Sequence, residues 1–168
     1  MTDQVLNVLV LCTGNSARSI LGEAIFQKLG NGKIHAFSAG SKPKGVPHPG
    51  ALRLLARKGI DTSTFRSKSW NEFTGPDAEP IDIAITVCAN AAQEACPVFM
   101  GAPIKAHWGL ADPADVTGSD TEVDAAFEET WQALTARVEA FLALPLDDLD
   151  HQQLAAHLAE IGQMEGAA

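Results

Sequence analysis

Val8-Leu9-Val10-Leu11-Cys12-Thr13-Gly14-Asn15-Ser16-Ala17-Arg18-Ser19 is the stretch that decides the fold. Its apolar start reads as a strand over residues 4–11, buried on both faces. After it, Leu21, Ala24, Ile25 and Leu29 recur at helical spacing and predict a helix over residues 19–29. Between the two lies a loop of small residues with a thiol at one end and a guanidinium at the other. A strand–loop–helix of this kind turns several backbone N–H groups toward one point, where an oxyanion can sit. The positive end of the helix favours both a bound anion and a thiolate. A free cysteine titrates near about 8.5, and such settings lower that to roughly 3.5–7.5. Cys12 is therefore expected to be a nucleophile with a depressed pKa, aimed at a tetrahedral oxyanion held by the loop and Arg18. The bland alternative is a buried strand-end cysteine and a solvated arginine; the spacing, the glycine and the strand–helix context favour the nucleophile.

Working outward, Gly30-Asn31-Gly32 reads as a turn and residues 34–38 alternate as a second strand. A Gly- and Pro-rich loop follows, and Pro47 and Pro49 suit the entry to a helix that Gly59 would end. A short element is expected around residues 67–73. Residues 81–87 are apolar and β-branched, so they read as a buried strand that ends at Cys88. Residues 89–101 read as a loop or weak helix carrying Cys96-Pro97, and residues 104–108 as a fourth short strand. Ser119-Asp120-Thr121-Glu122 has the pattern of a capping box. It opens a long helix with Val123, Phe127, Trp131, Leu134, Val138 and Phe141 or Leu142 on one face. Alternation of this kind implies an α/β fold: a four-stranded parallel sheet with helices on both faces. Ligands in such folds bind at the carboxyl ends of strands, so Cys12, Cys88 and the Asp112-Pro113 loop can all reach one rim.

A chain of 168 residues is expected to form one domain over residues 1–145 with a C-terminal helical tail over 146–168. In that tail Leu154, Leu158 and Ile161 make one stripe, which suits packing on the domain, a helix fraying in solvent, or dimerisation. A net charge of −9 argues against nucleic-acid binding, so any anion site must be built locally. No stretch is long enough to span a membrane, and the N-terminus lacks a secretory pattern, so a cytoplasmic location is expected. Three cysteines do not make a disulfide framework, and scattered histidines without Cys-x-x-Cys do not make a structural zinc site.

Cys-x5-Arg-Ser after the first strand resembles the low-molecular-weight tyrosine phosphatase family, and CTGNSARS is similar to its arsenate reductase branch. The resemblance runs from about Val5 to Leu142. It includes Ser38-Ala39-Gly40, Gly59-Ile60-Asp61, Val87-Cys88, Cys96-Pro97 and His107-Trp108-Gly109-Leu110-Ala111-Asp112-Pro113. The thioredoxin-coupled arsenate reductases combine this loop with two later cysteines. That implies an enzyme of arsenic detoxification that reduces arsenate to arsenite, with phosphate and sulfate as competing anions. The resemblance assigns attack on arsenate to Cys12, and anion binding to Arg18 and the amides of Thr13, Gly14, Asn15, Ser16, Ala17 and Ser19. Ser19 would steady the thiolate. Asp112 would be the general acid, although Asp-Pro is also a common turn pair. Cys88 would attack the Cys12 sulfur, and Cys96 would then take over the disulfide. An external thiol would reduce it: thioredoxin as the first choice, glutaredoxin with glutathione otherwise. The segment 89–95 would have to move. No tightly bound cofactor is implied.

Three departures from the family pattern stand out. Ala17 replaces a further loop cysteine, and the Cys88–Cys96 spacing is one residue longer than in the best-known members. Some members also bind potassium through Asn, Glu, Ser and Asp side chains. Asn15, Glu23 and Ser38 match that set, whereas Lys68 takes the aspartate position, and its ammonium would supply the cation's charge permanently. Two other functions use some of the same residues. A phosphatase acting through a phosphocysteine would use Cys12, Arg18 and Asp112, but Pro113 is followed by Ala114 and Asp115 and the chain has no tyrosine. A redox sensor would use the thiols and leave Asp112 dispensable.

Overall fold

The apolar run becomes β1 (Leu6–Cys12), whose residues from Val8 onward are buried. It lies inside a fully parallel sheet with β2 (Ile34–Gly40), β3 (Ile83–Thr86) and β4 (Ile104–His107), in the order β2-β1-β3-β4. The computed structural model describes residues 5–88, 99 and 103–164. The helices among them are α1 (Arg18–Gly30), α2 (Pro49–Arg57), α3 (Asp120–Leu142) and α4 (His151–Ile161). The chain leaves β1 for β2 on one side and returns past it to β3 on the other. That reversal opens a crevice at the C-terminal ends of β1 and β3.

One face of the sheet, with Val8, Val10, Ile83 and Ile85, packs against α1, α3 and α4 in the main core. Ile20, Leu21 and Phe26 of α1 are fully buried there, each worth about 2 kcal/mol. The other face, with Leu9, Leu11 and Ala84, is covered by Trp70 and Phe73 of a short 3-10 turn and by Ile81 and Phe99. No helix among the described residues is long and apolar enough to cross a membrane.

Local signals explain most element ends. The His48 ring accepts from the Gly50 N–H at 2.9 Å as the N-cap of α2, with Pro49 in its first turn. Gly59, at φ +75, closes the same helix: its N–H reaches the Ala56 carbonyl and that of Ile60 reaches Leu55. The Ser119 side chain accepts from the Glu122 N–H and starts α3. The expected strands over 81–87 and 104–108 are shorter in the structure. Asp82 is taken by Asn7, whose N–H donates to its carboxylate at 2.8 Å. Trp108 still donates its backbone N–H to the Thr86 carbonyl at 2.7 Å, while its ring stacks on Phe26 and its Nε1–H donates to the Leu158 carbonyl at 3.0 Å.

Of the readings of the tail, packing on the domain is the one the structure shows, whereas a buried arginine in the helical layer was not anticipated. Leu158 and Ile161 of the tail are buried in the main core, where α4 packs on β4. Arg137 sits fully buried on the inner face of α3, its guanidinium donating to the carbonyls of Ala133 and Met164. It ties the end of the described chain to α3, beside the expected apolar stripe of Phe127, Trp131, Leu134, Val138 and Phe141, which is buried.

Candidate active site

The loop after β1 is held by its carbonyls. The Lys42 N–H donates to Thr13 O (2.9 Å), Lys44 to Gly14 O (3.0 Å) and His48 to Ser16 O (2.8 Å). The Ser67 hydroxyl also donates to Gly14 O at 3.0 Å. In a planar trans peptide the next N–H points opposite to the carbonyl, so the amides of Gly14, Asn15 and Ala17 face the other way, into the loop. Gly14 N–H donates to the Cys12 sulfur. α1 has neither a side-chain cap nor an acidic residue in its first turn, which leaves its leading N–H groups for an anion. β2 approaches so closely that a Cβ on Gly40 would overlap the Thr13 carbonyl oxygen.

Arg18 opens α1 and lies over this cradle. Its Nη1 donates to the Leu110 carbonyl at 2.7 Å, and Nη2 lies 3.2 Å from Asp112 Oδ2. Its Nε is buried with no hydrogen-bond partner among the described residues. Asp112 also accepts from the Ala114 N–H at 2.9 Å through Oδ1. Oδ1 of Asp112 holds the turn, as the turn-pair reading expects, and Oδ2 faces Arg18. Leu110 was not anticipated, because a backbone carbonyl leaves no mark in sequence.

Cys88 follows β3 as Cys12 ends β1. Val87 N–H donates to Leu11 O at 2.9 Å, which sets the two cysteines beside each other. Both are buried thiols, and they are hydrogen-bonded to each other. The Thr13 hydroxyl lies 3.6 Å from Cys88 Sγ. Thr13 was read for its amide; its side chain also reaches the second sulfur. The expected lowering of the Cys12 pKa is reversed in this arrangement. The Cys88 hydrogen bond, burial and the charge of a Cys88 thiolate push the Cys12 thiol up, against the pull of Arg18 and Gly14 N–H. The loop and Arg18 act as expected; the neighbouring sulfur outweighs them. Cys96 and the segment 89–95 lie outside the described residues.

Behind the loop, Asn15 adopts φ 44 and is fully buried. Its Nδ2 donates to Ser19 Oγ at 2.8 Å, and its Oδ1 accepts from Lys68 N–H at 2.8 Å. Ser19 Oγ thus accepts from Asn15 and keeps its own proton for donation. Ser38 Oγ donates to Glu23 Oε1 at 2.5 Å, with Lys68 Nζ 3.8 Å from the same oxygen. Burial pushes the Glu23 carboxyl up and the Lys68 ammonium down. These residues do not fit a potassium ion, because an ammonium already faces the carboxylate and the Asn15 oxygen is taken by a backbone donor. No cluster of three His, Cys, Asp or Glu among the described residues could hold a metal.

Known proteins share this architecture. An arsenate reductase of Halalkalibacterium halodurans is 31% identical over 134 residues, 80% of this chain and 93% of its own. One from Bacillus licheniformis is 32% identical over 135 residues, again 80% and 93%. A solved arsenate reductase in a phosphate binding state aligns with a TM-score of 0.66 at 28% identity, over 83% of this chain and 98% of that one. Residues 7–156 match the family described as low molecular weight phosphotyrosine protein phosphatase. With the loop, the arginine and the sheet order in place, the chain belongs to that family.

Proposed function

We propose that this protein is an arsenate reductase that uses Cys12 as its nucleophile and Cys88 and Cys96 as successive resolving thiols, in arsenic detoxification. The observation that carries it is the contact of two thiols at the anion loop, Cys12 with Cys88, beside the Thr13 hydroxyl. A hydrolytic phosphatase has no use for a second thiol there. The relatives named arsenate reductase support the same substrate.

The steps follow from these groups. Arsenate enters as a dianion, bound by the loop amides and Arg18. Its arrival competes with Asp112 for the guanidinium and turns that carboxyl toward the leaving oxygen. The Cys12 proton passes to an arsenate oxygen as the S–As bond forms, so the raised pKa is no obstacle. The Asp112 carboxyl relays that same proton to the departing hydroxyl, which leaves as water. Cys88, as a thiolate, then attacks the Cys12 sulfur. The S–As bonding pair goes to arsenic, which falls from As(V) to As(III), and a Cys12–Cys88 disulfide remains. Cys96 attacks Cys88 and releases Cys12. An external dithiol, thioredoxin in preference to glutaredoxin with glutathione, supplies two electrons to the Cys88–Cys96 disulfide.

No tightly bound cofactor takes part. Lys68 stands in for a monovalent cation beside Glu23, so activity is independent of potassium. The decisive experiment is arsenate-dependent NADPH oxidation with thioredoxin and its reductase, comparing the wild type with Cys88→Ser and Cys96→Ser. Turnover by the wild type and its loss in both variants is expected. Multiple turnovers in either variant would overturn the relay.

A further inference from the structure

Seven of the chain's 12 lysines and arginines fall between residues 41 and 68, where Asp61 is the single carboxylate. This is a cationic segment in a chain of net charge −9. Five of the seven face carboxylates: Arg53 and Arg57 on Asp124, Lys58 on Glu128, Arg66 on Glu72 and Lys68 on Glu23. The remaining two, Lys42 and Lys44, are exposed and form no ion pair among the described residues. They are also the two whose backbone N–H groups grip the Thr13 and Gly14 carbonyls. The aliphatic stem of Lys44 lies along the loop, where a Cβ on Gly14 would come within 3.2 Å of its Cε. Two ammonium groups without an ion-pair partner among the described residues are therefore borne by a segment bonded to the carbonyl side of the anion loop, with the Lys44 stem reaching along Gly14.

We propose that Lys42 and Lys44 are specificity-determining residues that capture a tetrahedral dianion at the mouth of the site and hand it to Arg18 and the loop amides. The proposal rests on the oxyanion reading of the loop and does not depend on the disulfide relay. A chain of this net charge repels a dianion at long range, so association needs a local field of opposite sign. A dianion feels that field twice as strongly as a monoanion of the same shape. The preference for doubly charged oxyanions is thus set at the rim, before the inner donors are reached. Because the ammonium groups are exposed, salt screens the effect over a Debye length.

The test is calorimetric titration of inorganic phosphate into the wild type and the Lys42→Gln/Lys44→Gln double variant, at low and high ionic strength. The variant is expected to bind phosphate about five- to tenfold more weakly at low salt and equally at high salt. With arsenate the loss falls in KM rather than kcat. A Lys42→Arg/Lys44→Arg variant keeps wild-type affinity, which separates charge from packing of the stem. Equal affinity of the wild type and the glutamine variant at both salts would overturn the proposal. Salt-sensitive phosphate binding by a wild type that turns over no arsenate would leave the capture role standing and overturn the arsenate reading instead.

Discussion

Cys12 and Cys88 meet thiol to thiol at the ends of neighbouring parallel strands, and the second sulfur governs the ionisation of the first. A lone cysteine in this loop would be pulled toward thiolate by Arg18 and Gly14 N–H. The pair instead shares its protons, so its titration belongs to both sulfurs. Replacing Cys88 by Ala removes the hydrogen bond and the charge that raise Cys12, so the Cys12 pKa falls. Iodoacetamide alkylation of the Cys12 peptide, followed by mass spectrometry across pH, should shift to lower pH in Cys88→Ala. A midpoint that stays put or rises would show that burial, and not the neighbouring sulfur, sets it.

Asp112 is expected to matter for turnover and not for anion affinity. Its Oδ2 competes with an incoming anion for Arg18. Asp112→Asn should lower kcat for arsenate by about 10²–10⁴-fold, the usual worth of a general acid. Phosphate affinity should stay the same or improve. Affinity that fell in step with kcat would mean that Asp112 acts by holding Arg18 and not by moving a proton.

Lys68→Met leaves the Glu23 carboxylate buried with the Ser38 hydroxyl and N–H and the more distant Arg66 charge. Breaking such a pair costs about 3 kcal/mol, measured by urea unfolding at neutral pH. Burial raises the Glu23 pKa in the fold above its unfolded value. The folded state therefore binds the proton more tightly, and stability from this group is present at low pH and lost as pH rises through the folded pKa. The deficit of the variant should accordingly shrink toward acid pH. Potassium should restore part of the variant's stability and leave wild-type activity unchanged; strong potassium activation of the wild type would contradict the stand-in role of Lys68.

Gly40→Ala places a methyl group on the Thr13 carbonyl, backbone against backbone. Neither side can yield without moving the anion loop, so the expected cost is about 3 kcal/mol of stability together with weaker phosphate binding. A variant with wild-type melting and wild-type phosphate affinity would show that β2 can draw back from the loop.

Much of this molecule was legible along the chain wherever one short segment decides its own shape. His48-Pro49, Gly59 and Ser119 through Glu122 each satisfy orphan backbone groups within a few residues, so they announce helix ends without help from the rest of the fold. The loop from Cys12 to Ser19 is of the same kind. Arg137 and Trp108 were less legible, because their partners, Met164 and Leu158, lie 27 and 50 residues away. β3 and β4 were read one or two residues too long at an end, where single backbone bonds from Val87 to Leu11 and from Trp108 to Thr86 carry the pairing past the strands.

The amino-acid order alone determined the chemistry of the anion loop: a thiol, a guanidinium and a ring of amides at the mouth of a helix, because all of these lie within one strand–turn–helix. Only the folded chain decided what the thiol feels. The sheet order β2-β1-β3-β4 sets Cys88 beside Cys12, brings the Leu110 carbonyl and Asp112 to Arg18, and bonds the backbone of Lys42 and Lys44 to the loop carbonyls. Ionisation responds to every charge and donor within a few ångströms, and those neighbours come from strands that are distant in the chain.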